Sequence, residues 1–200
     1  MGDLRNLRLE DISDLRAYER ERSELQQHVF EVKRLRRVAL GSIMSLVFEN
    51  ALTIRYQIQE MARVEKLSTD AQILGELKVY NPLIPDPGEL SATLFIELTD
   101  EASLREWLPK LVGIEGSLLL RFGPGGGEPA RSIPEEAHAE QLTREDVTAS
   151  VHYVRFNLTP DQVRSFESGP VFLASDHPDY QVEVELSTDT REELLSDLQD

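Results

Sequence analysis

The sequence predicts an α+β protein: a mixed or mainly antiparallel sheet with helices mostly on one face, preceded by a long N-terminal helix. Three observations carry this. Residues 12–38 hold an apolar stripe at spacings of three and four, with no Gly or Pro before Gly41. Several later segments alternate apolar and polar residues over short runs, as half-buried strands do. Strands and helices then follow one another irregularly, unlike the regular units of a parallel sheet. A chain of 200 residues is read as one domain, residues 1–200.

In the long helix, Leu15, Tyr18, Arg22, Leu25, Val29 and Val32 share one face, and Lys33, Arg34, Arg36 and Arg37 crowd the last turns, where cations complement the helix dipole. Gly41 reads as its C-terminal stop. Residues 42–49, short and apolar, read as a buried strand. Thr53 to Gln59 alternates as a strand would, but the helical period of Ile54, Ile58, Met61 and Glu65 persists further. A helix is therefore assigned to 53–67, with Asn50 or Thr53 at its cap. A second helix runs from about 69 to 80 behind Ser68 or Thr69, and the proline-rich run 81–88 ends it. Residues 91–98 read as a strand, Asp100 opens a helix to about Leu111, and 116–122 read as a strand. Residues 123–143, beginning GPGGGEP, read as a mobile loop. Ser150 to Leu158 alternates as a strand, Thr159-Pro160 starts a helix, and Val171 to Ala174 is a short strand. Tyr180 to Leu186 is a strand with one wet face, and Ser187 or Thr188 caps a closing helix.

Charge excludes several functions. The net charge of −16 argues against nucleic acid and anionic lipid as partners. The charge is uneven: residues 1–40 carry +1 and residues 41–200 carry −17, so a near-neutral arm precedes an acidic body. Without cysteine there is no disulfide, thiolate nucleophile or cysteine-ligated metal. No apolar run reaches the roughly 20 residues that span a bilayer. The opening MGDLRNLRLED has no apolar signal core, so the protein is expected in the cytoplasm.

No catalytic motif stands out. GPGGG lacks the Gly-Lys-Ser/Thr end of a phosphate loop, and no Gly-x-Gly-x-x-Gly, His-Glu-x-x-His or Gly-x-Ser-x-Gly is present. Glu135-x-x-His138 has half the spacing of a carboxylate-bridged di-iron site, but there is no second such pair. His152 reads as a core histidine on an inward strand face, and His177 as an exposed turn residue. The most informative stretch is 49–65. On a helix, Glu65 and Gln57 fall inside the apolar stripe centred on Ile54. A carboxylate there demands a counterion, and Arg22 or Arg36, each interrupting or ending the stripe of the long helix, is its expected partner. The same region supports an alternative: a small-molecule or divalent-metal site using Glu49, Gln57, Glu60 and Glu65, with Arg55 or Arg37 as charge partners. Glu49, Glu65 and His152 are the residues there that suit iron or manganese. No motif implies a particular cofactor.

RRVALGSIMSLVFEN, QIQEMARVEKL, ELKVYNPLIP, ATLFIEL, SVHYVRFNLTPDQV and DHPDYQVEVELSTDTREELLSDL, taken as an ordered series over about residues 30–200, resemble an uncharacterised bacterial family of about 200 residues, a domain of unknown function. The resemblance brings no activity, cofactor or catalytic residue. It implies gene neighbours of rubrerythrin-like and iron–sulfur oxidoreductase type, and so an accessory role in peroxide or iron redox metabolism. The combined expectation is a non-enzymatic accessory or interaction protein with a protein partner or a homodimer, the long helix being the expected docking element.

Overall fold

The computed structural model describes residues 6–135 and 147–199. Among them are six α-helices and eight strands: α1 (Leu15–Arg36), β1 (Arg37–Leu40), β2 (Met44–Glu49), α2 (Ala51–Glu65), α3 (Asp70–Tyr80), β3 (Glu89–Ile96), α4 (Glu101–Trp107), β4 (Leu118–Phe122), β5 (Ala130–Pro134), β6 (Val151–Asn157), α5 (Pro160–Ser168), β7 (Val171–His177), β8 (Tyr180–Glu185) and α6 (Thr188–Gln199). Short polar side chains start the helices. Asp14 accepts from the Arg16 and Ala17 amides, and Asn50, Thr69, Asp100 and Thr159 cap α2 to α5 in the same way.

The strands form one sheet in the order β1-β2-β3-β6-β5-β4-β7-β8. Every neighbouring pair is antiparallel. The sheet curls until β8 returns towards β1, and the Tyr180 hydroxyl donates to the Leu40 carbonyl at 2.8 Å, so the architecture is nearly a barrel. Alternate side chains point inward, among them Leu46, Leu94, Leu120, Phe156 and Leu173, all buried. Leu111 and Ile114 close one end, beside Trp107 packed edge-on against Tyr180. Phe166 of α5 and Leu194 and Leu198 of α6 close the other. The interior is thus a packed core. On the outer face, α1 and α2 cover β2, which is why all six of its residues are buried. A satellite cluster of Leu7, Ile54, Ile58, Leu77, Leu83 and Ile84 joins α2 to α3.

Four expectations need correction. The long helix ends at Arg36, and Gly41 turns the β1–β2 hairpin with φ +69° instead of stopping a helix. Val38 and Leu40 alternate inward with Arg37 and Ala39 outward, a period-two pattern too short to read beside the preceding 22 helical residues. Residues 130–134 of the expected loop form β5, which fills the sheet between β4 and β6; its Ala130 and Ser132 face inward while Pro134 sits at its end. Residues 136–146 of that expected loop, with His138, lie outside the described residues. The strand expected over 171–174 continues to His177, which is buried, with Nε2 against the Val112 carbonyl at 3.1 Å and Nδ1 accepting from the Asp179 amide at 3.2 Å.

Gly41 closes the sheet as well as the hairpin, since a Cβ there would run into the Tyr180 hydroxyl. Gly41→Ala is expected to cost about 2 kcal/mol or more, from left-handed backbone strain plus that clash. Chemical denaturation measures it, and a loss below about 0.5 kcal/mol would contradict the closure.

Candidate functional site

The acid that meets a counterion on α2 is Glu60. The Tyr18 hydroxyl and Arg22 Nε both donate to Glu60 Oε1 at 2.7 Å, and Arg22 Nη2 donates to Oε2 at 2.9 Å. Arg63 stands 3.4 Å from the same carboxylate. The Arg22 guanidinium, aided by Tyr18 and Arg63 and opposed by burial, holds the Glu60 carboxyl down at about 2. Tyr18 is fully buried; burial and the neighbouring carboxylate push its phenol well above the usual range. Gln59, one residue earlier, is also buried: its Oε1 accepts from the Ser13 amide at 2.6 Å and its Nε2 donates to the Ser13 carbonyl at 3.2 Å.

Glu65 is exposed, which corrects the expectation that it sits among apolar neighbours. The stripe through Ile54 and Ile58 does pack, against α3. But α2 also packs against α1 through Tyr56 and Glu60 and against Ser13 through Gln59. Its last turn, with Val64 and Glu65, is exposed to solvent. A stripe centred on one neighbour could not reveal the second.

The other candidates are distributed. Arg36 is buried and pairs with Asp197 and Glu193 of α6, with Nη1 also 3.4 Å from the Glu49 carbonyl. Burial lowers its pKa, but the two carboxylates outweigh this and raise it. The Glu49 carboxylate is buried on the outer face of β2. It accepts from Thr53 Oγ1 at 2.5 Å and Thr93 Oγ1 at 2.6 Å, and no cation among the described residues lies within ion-pair distance of it. Burial pushes the phenol of nearby Tyr153 up to about 12. Arg55 donates to the Asp11 carbonyl at 2.8 Å. Gln57 lies near the Tyr80 phenol, which burial pushes up. Arg37 pairs with Glu97 on the surface, beside the Phe95 ring.

His152 lies on the inner face with Val154 and Phe156, so Glu49 and His152 are on opposite faces of the sheet. Among the described residues, no group of three or more His, Asp or Glu is placed to hold a metal. His152 Nε2 lies 2.9 Å from both the Ala149 carbonyl and Thr148 Oγ1. A carbonyl only accepts, so Nε2 carries the hydrogen and Nδ1 faces Glu115 Oε2 at 4.0 Å. Burial lowers the imidazole pKa against the opposing pull of Glu115.

These buried polar groups tie elements together, and some large apolar side chains are left outside. Val64, 66% exposed, Leu74, 53%, and Val79, 44%, are on the α2–α3 hairpin; Phe30 on α1 and Ile133 on β5 are exposed as well. Apolar residues surround the whole circumference of α3, yet only Leu77 is fully buried. Beside it opens a groove of about 960 Å³. Leu7, Leu74, Leu77 and Ile84 supply its apolar lining, and Arg8, Lys78 and Arg155 its cations. Asn81 anchors one wall by hydrogen-bonding both the amide and the carbonyl of Leu7. Sequence reasoning passed over this surface. The signal was there: α3 shows apolar residues on every side with no single stripe, the pattern of a helix that has more neighbours than one.

The fold and this surface define an α+β protein on a curled, plugged antiparallel sheet, with an apolar helical hairpin turned to solvent. The chain belongs to the protein-of-unknown-function family DUF3501, whose model matches residues 6–198. It is similar to a crystal structure, at 1.90 Å resolution, of a novel protein of unknown function from Burkholderia pseudomallei K96243. The TM-score is 0.88 and identity 34%, over 97% of this chain and 100% of that one. No curated protein matches the sequence. No helix among the described residues is long and apolar enough to cross a membrane.

The depressed Glu60 value gives a pH test. The folded carboxyl lies at about 2 against an ordinary 4.5. The stabilisation is therefore complete above 4.5 and is lost as pH falls from there through 2. Glu60→Gln is expected to cost about 1–3 kcal/mol at neutral pH and to flatten the acid limb of the stability curve. Glu65→Gln should change stability by less than about 0.5 kcal/mol. Denaturant melts from pH 2 to 7 compare the three proteins; equal acid limbs for wild type and Glu60→Gln would refute the assignment.

Proposed function

We propose that this protein works by association with other protein chains, as a cytosolic accessory protein of peroxide or iron redox metabolism, and not as a catalyst. The observation that carries the reading is the gathering of exposed apolar side chains on the α2–α3 hairpin beside an open groove. Solvent-facing apolar surface of this kind marks interaction sites. Two further facts support it. The ion pairs between helices serve as links between elements: half-buried Arg22–Glu60 joins α1 to α2, and Arg36–Asp197 joins α1 to α6. The charge of −16 creates a field that attracts a cationic partner surface. The redox assignment rests on the gene neighbourhood that the family resemblance implies.

Photocrosslinking in cells tests the reading. A photoreactive phenylalanine analogue replacing Leu74 is expected to give a discrete protein adduct, whereas the same analogue replacing exposed Arg164 on α5 gives none. A rubrerythrin-type or iron–sulfur protein is expected to co-purify at low salt and to be released at high salt. No adduct from position 74 would sink the interface, and no co-purifying redox protein would sink the redox assignment.

A further inference from the structure

We propose that the α2–α3 hairpin carries a peptide-binding groove, that residues 6–13 of the chain occupy it in cis, and that an extended segment of a partner protein displaces them. This deepens the reading of the hairpin as an interface and rests on it. What holds residues 6–13 in place is aimed at their backbone. The Asn81 side-chain amide accepts from the Leu7 N–H at 3.1 Å and donates to the Leu7 carbonyl at 2.8 Å. The Gln59 amide clamps Ser13 in the same way, at 2.6 and 3.2 Å, and Arg55 Nε donates to the Asp11 carbonyl at 2.8 Å. Arg55 and Gln59 stand one turn apart on α2. Four residues of helix advance about 6 Å and two residues of extended chain about 7 Å, so this row of side chains keeps step with the carbonyls of Asp11 and Ser13. Of the side chains in the segment only Leu7 is fully buried, in the cluster with Ile54, Ile58 and Leu77. Arg8 pairs with Glu10 inside the segment, and among the described residues no ion pair joins the segment to α2 or α3.

The clamps select the chemistry of the displacing segment. Gln59 is fully buried, and a buried amide side chain needs both its donor and its acceptor satisfied. A peptide backbone offers an N–H and a C=O side by side and satisfies both at once; an anion or a cation satisfies only one. The partner segment is therefore extended and carries a leucine-like anchor in place of Leu7. It has no proline at the anchor or six positions after it, because an N–H must donate at both. It is neutral or basic, since a protein of net charge −16 repels an acidic chain. Leu7 and Leu74 both line the open groove, so a segment entering there lies beside the residue it replaces. A segment held by one fully buried side chain and a few hydrogen bonds opens without unfolding the sheet.

Fluorescence anisotropy with a labelled synthetic peptide of residues 6–14 tests this on the full chain. The full-length Leu7→Asp variant, whose own segment no longer seats, is expected to bind the peptide. Wild type should bind it at least about tenfold more weakly, because the cis segment competes at a high effective concentration. N-methylation of Leu7 in the peptide removes the N–H and keeps the side chain; it should weaken binding at least about tenfold, as should Asn81→Leu in the Leu7→Asp protein. A folded Leu7→Asp protein that does not bind the peptide, or binding indifferent to N-methylation, would overturn the proposal. Should Leu7→Asp fail to fold, hydrogen exchange on wild type decides: the Leu7 and Ser13 amides are expected to exchange faster than the Ile58 amide inside α2, and equal protection overturns the proposal. Peptide binding without an adduct from position 74 in cells keeps the groove and refutes its displacement by a partner; an adduct without peptide binding refutes the groove and leaves the docking reading standing.

Discussion

A guanidinium taken out of water costs several kcal/mol unless its donors find anionic acceptors, and Arg36 is only 1% exposed. Its position explains why the chain accepts that cost. Arg36 is the last residue of α1 and Arg37 the first of β1, with no connecting loop. The side chain donates from Nη1 and Nη2 to the two oxygens of Asp197, and from Nε to Glu193. One side chain thereby fixes where the long helix becomes the edge strand. It also holds α6 across the end of the barrel that Leu194 and Leu198 plug. The planar guanidinium suits this role because a bidentate contact specifies direction as well as charge.

The same division of labour runs through the molecule. Buried polar groups are used where two elements meet at a required angle. Glu60 collects Tyr18 and Arg22 from α1, Glu49 collects Thr53 from α2 and Thr93 from β3, and Tyr180 bridges the gap between β8 and β1. Apolar burial supplies the bulk of the driving force inside the curled sheet. The α2–α3 hairpin departs from this pattern. It has a cluster of its own beneath it, to which α3 contributes one fully buried residue, Leu77, and the half-buried Ile73 and Tyr80, while Leu74 and Val79 face outward.

Much of the architecture was legible because its signals are local. The stripe from Leu15 to Val32 marks the buried face of α1, and Asn50, Thr69, Asp100 and Thr159 mark helix starts by satisfying orphan amides within three residues. Arg22 stood out as a cation within an apolar stripe, and it does carry an ion pair. The identity of its acid was not legible: Glu60 and Glu65 lie on different sides of α2, and only the packing of α1 selects between them. β5 hid for a related reason, since a five-residue strand containing proline declares itself only through the partners on either side.

The chain by itself determined most of its elements, their caps and its acidic, cysteine-free chemistry, because these depend on residues within a few positions of one another. Tertiary structure alone decided which carboxylate of α2 meets a guanidinium, that Gly41 closes a sheet instead of ending a helix, and that α3 turns Leu74 and Val79 to solvent. Those outcomes depend on side chains brought together from distant parts of the sequence, as Arg36 and Asp197 are, and periodicity along the chain does not encode them.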